Sequence, residues 1–393
     1  MGIAYKIKTM MEQSSWIRKM FETGAQLKAQ HGTEAVCDFS LGNPNLDPPP
    51  ALSKALEAII KKQIPQKHAY MPNAGYPEVR KAVAQYVTGE YGVQVQAEQI
   101  VMTCGAGGAL NVVFKTILNS GDNILVSTPC FMEYKFYVDN HGGKLILVPG
   151  QADFDLNIKA LASRINKQTA GIIINSPNNP SGRVYPQATI KALSQMLTQK
   201  SREIGRPIYL ISDEPYRKIV YDGIQVPSIF QYYPNSIIAT SFSKDLSISG
   251  ERIGWLALHP EAEANSDLMN GFILCNRILG YVNAPALMQR TIATLLNKSV
   301  DVSLYKNKRD RLCSELEKLG YEFMIPQGTF YLFPKAPEGD DVQFVNLLQK
   351  ELILTVPGSG FGTPGYFRIA FCVADSVIEN SIKGFARVIK KMK

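Results

Sequence analysis

The stretch Thr240–Trp255, TSFSKDLSISGERIGW, concentrates residues that could do chemistry together. Ser241, Ser243 and Lys244 nearly adjoin, and Gly250, Arg252 and Gly254 follow closely. Two hydroxyls, a planar guanidinium fork and glycines that let backbone N–H groups come near form the donor set a dianionic phosphate requires. A lysine held beside such a phosphate and partly desolvated has a lowered amine pKa, so it can form a Schiff base with an aldehyde. Those two demands together point to pyridoxal 5′-phosphate. Alone, Lys244 would read as one lysine of many on a solvated loop; its setting among hydroxyls, glycines and Arg252 changes that reading.

Other segments carry groups that could meet the same ligand. Strand-like Gln99–Thr103 runs into CGAGG and then a helix over Ala109–Leu118. A strand, a glycine turn and a helix N-terminus bring unpaired N–H groups and the positive end of the helix dipole together, so Gly105, Ala106 and Gly107 are candidates for an anion site. The pattern is neither G-x-G-x-x-G with a downstream acid nor a P-loop, and it supports nucleotide binding only weakly. Gly171–Asn175 leads into NSPNNPSG, which sets the Asn179 amide at the sheet edge where open α/β folds bind ligands. Asp213 follows a β-branched strand, Pro207–Ile211. A carboxylate there has reason to be ionised if it faces a cationic ring nitrogen, because each charge offsets the other's desolvation. Arg368, on the mainly apolar strand Tyr366–Ala370, needs an anionic partner, either a structural carboxylate or a ligand. Gly42 and Asn43, in GNPNLDPPP, lie either in a loop over a site or in a plain linker.

S-x-S-K followed by G-x-R-x-G resembles the lysine signature of the fold-type I, class I/II aminotransferases, and the likeness runs through nearly the whole chain. The resemblance implies an α/β fold. A large domain, residues 51–290, would hold a mostly parallel seven-stranded sheet flanked by helices; residues 1–50 and 291–393 would form a smaller α/β lobe. It also implies an enzyme that moves the amino group of an L-amino acid to a 2-oxo acid, using pyridoxal 5′-phosphate, a Schiff base on Lys244 and a pyridoxamine form. By that resemblance Lys244, Asp213 and Tyr216 are catalytic. Gly105, Ala106, Gly107, Ser241, Ser243 and Arg252 hold the phosphate, and Tyr70 reaches it from the partner subunit of a homodimer. Phe131 stacks on the pyridine ring, Asn179 and Tyr216 donate to its phenolic oxygen, and Asp213 meets its nitrogen. Arg368 grips the substrate α-carboxylate, with Gly42 and Asn179 beside it. The sequence departs from the family pattern at the 105–107 turn, where a hydroxyl or amide side chain is common, and at Met132, where proline is usual. Arg277 lies near, though not in register with, the arginine that aspartate-type members use for a distal carboxylate, and it reads rather as a helix-surface arginine. A carbon–sulfur β-lyase on the same scaffold is the nearest alternative activity, and an effector-binding aminotransferase-like domain a remote one.

Apolar periodicity and caps predict helices over Ser14–Gln30, with Ser14 or Ser15 as N-cap, Ala51–Lys62, from Pro77, Gln187–Glu203, Val302–Leu319, Val342–Glu351 and Ala374–Lys391. Strands are expected at Val36–Leu41, Asn123–Ser127, Lys144–Val148, Ser236–Thr240, Ile253–Leu258, Tyr321–Ile325 and Thr329–Pro334. A hydrophobic content of 45% over 393 residues is ample for a sizeable core. The net charge of +8 comes from scattered Lys and Arg, which reads as a pull on anionic ligands and argues against nucleic-acid binding. Six cysteines with no C-x-x-C pair read as reduced core thiols of a cytoplasmic protein, with no metal site. The longest apolar stretch, Gly271–Met288, is interrupted by Asn276, Arg277 and Asn283, so no membrane span is expected.

Overall fold

A computed structural model describes residues 2–12 and 16–392. Its centre is a seven-stranded sheet made of β1 (Ile100–Thr103), β2 (Asn123–Thr128), β3 (Lys144–Pro149), β4 (Thr169–Asn175), β5 (Tyr209–Asp213), β6 (Ser236–Ser241) and β7 (Gly254–Leu258). The spatial order is β1-β7-β6-β5-β4-β2-β3, and only β7 runs antiparallel to its neighbours. Runs such as Ile172-Ile173-Ile174 are buried on both faces, as a parallel sheet covered by helices demands. The edge strand β3 is half exposed. One face packs under Val83, Leu193 and Met288, the other under Val113, Phe114 and Phe272.

A separate core gathers Phe39 from the N-terminal stretch with Leu312, Phe330, Phe344, Phe367 and Phe385. There Cys37–Asp38 pairs in parallel with Ile353–Leu354, and a three-stranded antiparallel sheet joins Val356–Pro357, Phe367–Ala370 and Tyr331–Leu332. The helices Val302–Lys318, Asp341–Lys350 and Asp375–Lys391 cover this lobe.

Several elements differ from the sequence expectation. The helix after β1 spans Gly105–Ile117, so the glycine turn is its first turn. Gly105 enters it at φ +73°, and Gly254 of β7 lies so close that a Cβ there would sit 3.0 Å from Gly105 Cα. The strand at Val36–Leu41 shrinks to two residues because the Asp38 carboxylate takes the Ser40 N–H at 3.1 Å and its hydroxyl at 2.6 Å. Tyr321–Ile325 is no strand: Glu322 accepts one backbone bond from Lys335, and Pro326 follows without an N–H. Helices Tyr5–Glu12, Glu133–Asp139 and Ile158–Arg164 were not anticipated. The N-cap expected at Ser14 or Ser15 lies outside the described residues. Among those described, no helix is long and apolar enough to cross a membrane, and no cluster of His, Cys, Asp and Glu could hold a metal ion. All six cysteines are unpaired, and five are buried.

Candidate active site

The carboxyl ends of the parallel strands deliver the polar residues to one edge of the sheet. Asn175, the last residue of β4, pairs in register with Asp213, the last of β5, and β6 ends at Ser241 beside Gly254. Outside this edge lies a cavity of about 470 Å³, lined among others by Gly42, Ala106, Gly107, Phe131, Asn179, Asp213, Tyr216, Ser241, Ser243, Lys244, Arg252 and Arg368. Residues from distant segments thus share one concave space at the place where open α/β sheets bind ligands.

Lys244 follows β6, and its Nζ donates to Gly42 O at 2.7 Å. Burial lowers its pKa to about 8, with the Arg368 and Arg252 charges pushing the same way and Cys372 opposing them. Asp213 is 6% exposed; its Oδ2 accepts the Tyr134 hydroxyl at 2.6 Å, while Oδ1 is buried with no partner. Burial raises this carboxyl to about 7, Tyr134 holds it down, and the neighbouring Glu214 carboxylate adds to the rise. A buried, half-satisfied carboxylate is costly for a chain by itself, so its open oxygen marks a place for a cationic donor.

Arg368 is 2% exposed and, among the described residues, has no carboxylate partner. Its guanidinium donates to Ser40 O at 2.5 Å and to Asn179 Oδ1 at 3.1 Å, lies over the rings of Tyr331 and Phe361, and keeps Nε unpartnered. Of the two partners the sequence left open, a structural carboxylate is absent among the described residues. Asn179 is itself fixed by its N–H to Asn175 Oδ1 at 2.7 Å. Because its Oδ1 faces Arg368, its amide nitrogen is the end available to donate.

At the opposite end, the buried helix Gly105–Ile117 presents its first N–H groups beside Ser241, Ser243 and Arg252. Arg252 holds a left-handed backbone, φ +51°, donates to Ser249 O at 3.1 Å and lies 3.0 Å from where a Cβ on Gly105 would be. Any side chain at Gly105 would displace that guanidinium. Helix dipole, backbone donors, hydroxyls and a cation together form a donor set that suits an anion.

Two expected residues, Tyr70 and Gly105, are outside the cavity lining: Tyr70 is 89% exposed, and Gly105 lies against the Arg252 guanidinium. Arg277, on the helix Asn265–Ile278, is exposed and outside the lining, as a helix-surface arginine is. Two tyrosines that the sequence did not single out line the cavity, and a third stands behind it. The fully buried Tyr134 bonds Asp213 from behind the wall; Tyr137 and Tyr331 line the cavity, and Tyr331 shares a 2.9 Å hydroxyl contact with Tyr216. The last explains Gly42, where a Cβ would stand 1.7 Å from the Tyr331 hydroxyl. The unrecognised helix Glu133–Asp139 hid Tyr134 and Tyr137; their i, i+3 spacing in EYKFY was the available signal.

A sheet edge that brings a lysine of lowered pKa and a buried carboxylate with one unpartnered oxygen to one cavity suits amine and carbonyl chemistry. Residues 34–385 match the model of the family "Aminotransferase class I and II", and the chain belongs to that family. It is an aminotransferase, for which the family implies pyridoxal phosphate and amino acid and 2-oxo acid substrates. The chain is 30% identical to a probable aspartate aminotransferase of Methanocaldococcus jannaschii, covering 89% of this chain and 92% of that one. It is also 30% identical to a probable aspartate/prephenate aminotransferase of Aquifex aeolicus, with 91% of each chain covered. Among solved structures, an aminotransferase of Eubacterium rectale superposes over all of both chains with a TM-score of 0.97 and 39% identity. The Thermus thermophilus aspartate aminotransferase with maleate shares the fold at a TM-score of 0.87 and 24% identity, over 99% of this chain and 100% of that one.

Proposed function

We propose that this aminotransferase takes the amino group of an L-amino acid, with aspartate the first candidate, and passes it to a 2-oxo acid at the cavity between Lys244 and Asp213, which holds pyridoxal 5′-phosphate. One observation carries the reading. A lysine of lowered pKa, a carboxylate with one unpartnered buried oxygen and a buried arginine without a carboxylate face the same cavity.

The residues fit that group. Asp213 Oδ1 is an open acceptor for a pyridinium N–H, and Phe131, held edge-on against Tyr134 with centroids 5.6 Å apart, can cover the ring. Asn179 and Tyr216 supply donors for the phenolic oxygen; Gly105, Ala106, Gly107, Ser241, Ser243 and Arg252 supply the phosphate cup. When bound, pyridoxal phosphate contributes a carbonyl that takes up an amine and a protonated ring that holds the electron pair left at the substrate Cα. With that group bound, Lys244, whose amine is neutral above about 8, would be the base for the substrate Cα proton. Arg368 orients the substrate through its α-carboxylate with a planar fork. Asp213, kept anionic by the cation it would then face, would hold the ring protonated.

The donor assignment is supported by the names of the relatives, several of which are aspartate aminotransferases. Tyr70, exposed and outside this cavity, suits a reach into a second copy across a homodimer interface. Unpaired buried thiols suit a cytoplasmic enzyme. The domain reading is a large domain of residues 51–290 and a small one built from 1–50 and 291–393; a change of core between Leu296 and Val300, a few residues past that boundary, supports a division there.

The test is the absorption spectrum of the cofactor-loaded protein with single amino acids and no oxo acid. Conversion to the pyridoxamine form by aspartate, reversed by 2-oxoglutarate, would bear the reading out. Steady release of pyruvate and ammonia from a substrate with a β-leaving group, without that conversion, would sink it in favour of a lyase.

A further inference from the structure

We propose that the Tyr137 hydroxyl is a phosphate ligand of this site, supplying the side-chain donor that the turn Gly105–Ala106–Gly107 lacks. The inference rests on the reading of the cavity as the pyridoxal phosphate site and adds to its ligand set.

Tyr134 and Tyr137 are three residues apart on one helix, so their side chains share a face. Tyr134 spends its hydroxyl on Asp213. Tyr137 points to the other end of the cavity, where its Oη lies 3.2 Å from the position a Cβ would take on Gly107. Gly107 is the third residue of the helix Gly105–Ile117, so its N–H is among those with no partner inside the helix. The phenol therefore stands against the helix N-terminus and lines the same wall as Ser241, Ser243 and Arg252. No hydrogen bond to the rest of the described chain uses it, although the side chain is half buried.

Neither Ala106 nor Gly107 has a polar side-chain atom, and the glycine leaves room that the phenol fills. Burial pushes the Tyr137 pKa up, with the Glu133 and Asp213 carboxylates acting the same way and Arg252 against them. The hydroxyl thus keeps its proton throughout the neutral range. A neutral donor adds a hydrogen bond to a dianion without adding charge. Gly107 and Tyr137 form a pair on this view: a side chain at 107 would crowd the hydroxyl, and removing the hydroxyl would leave space for one.

The experiment compares the cofactor-free wild-type chain with Tyr137→Phe and with Gly107→Ser/Tyr137→Phe, titrating pyridoxal 5′-phosphate, pyridoxal and inorganic phosphate by calorimetry. Loss of one hydrogen bond to a charged group should weaken pyridoxal phosphate and inorganic phosphate by roughly ten- to a hundredfold in Tyr137→Phe. Pyridoxal, which has no phosphate, should bind as before. The serine hydroxyl of the double variant should restore most of the loss, and the ³¹P resonance of bound cofactor should move in the single variant and return in the double. An equal loss for pyridoxal would make Tyr137 a ring contact and overturn the proposal, as would unchanged phosphate affinity. If the wild-type chain took up no pyridoxal phosphate at all, the cavity reading would fall first and this ligand with it. Normal wild-type uptake beside an unaffected Tyr137→Phe would sink this proposal alone.

Discussion

Asp213→Asn should make the cofactor-free protein more stable at alkaline pH while damaging the site. The Asp213 carboxyl is raised from 3.8 to about 7, chiefly by burial. For an acid raised in the folded state, the stabilisation is complete below the unfolded value and is lost as pH climbs through the folded one. At about 1.4 kcal/mol per pKa unit, the charged carboxylate costs the folded chain about 4 kcal/mol above about pH 8. Asparagine keeps the shape and can still accept the Tyr134 hydroxyl, but carries no charge. The stability gap in favour of Asp213→Asn should therefore widen by about 2.5 kcal/mol between about pH 5 and about pH 8. Other titrating groups are common to both proteins and cancel. Urea denaturation followed by the fluorescence of Trp255, buried in β7, reads the lobe concerned. Saturating pyridoxal phosphate should shrink the gap, because only the carboxylate can pair with a ring cation. A gap flat with pH, or a variant less stable at pH near 8, would refute the account of Asp213 as a carboxylate waiting for a cation.

Tyr134→Phe removes the bond that holds the Asp213 carboxyl down, so the loss of stability with rising pH in the cofactor-free protein should be larger and continue to higher pH, as read by the same denaturation series. Lys244, lowered to about 8 by burial, should be trapped by free pyridoxal and borohydride with a rate that climbs through a midpoint near that pH; a midpoint at the ordinary lysine value would contradict the burial. Gly42→Ala places a Cβ 1.7 Å from the Tyr331 hydroxyl oxygen. It should cost about 1–3 kcal/mol in thermal stability. It should also slow the half-reaction at least about tenfold, since each 1.4 kcal/mol of lost positioning is a factor of ten. Gly42→Ala/Tyr331→Phe should recover part of both; equal deficits in single and double variants would show that Tyr331 is not the point of strain.

How much was legible beforehand follows from where the information sits in the chain. The covered parallel sheet came with the family resemblance; continuous apolar strands such as Leu210-Ile211 and Ile172-Ile173-Ile174 agree with it, because burial on both faces removes the alternation that a half-exposed strand keeps. Ser241, Ser243, Lys244 and Arg252 were readable because a single turn after a strand must supply them all, so their spacing in sequence is their spacing in space. The family resemblance then carried Asp213, Asn179 and Arg368, whose own neighbourhoods were equally consistent with caps, turns and ion pairs.

What only the tertiary structure decided is the pairing across segments. Tyr134 with Asp213, Tyr137 with Gly107 and Tyr331 with Gly42 join residues from separate elements, and a phenol on an apolar helix or strand reads as core until the opposite wall is known. The sequence by itself determined which functional groups are present and which elements hold them, since local propensity and burial act along the chain. The charge states of Asp213 and Lys244 came from packing, because the dielectric around a group is set by what folds over it.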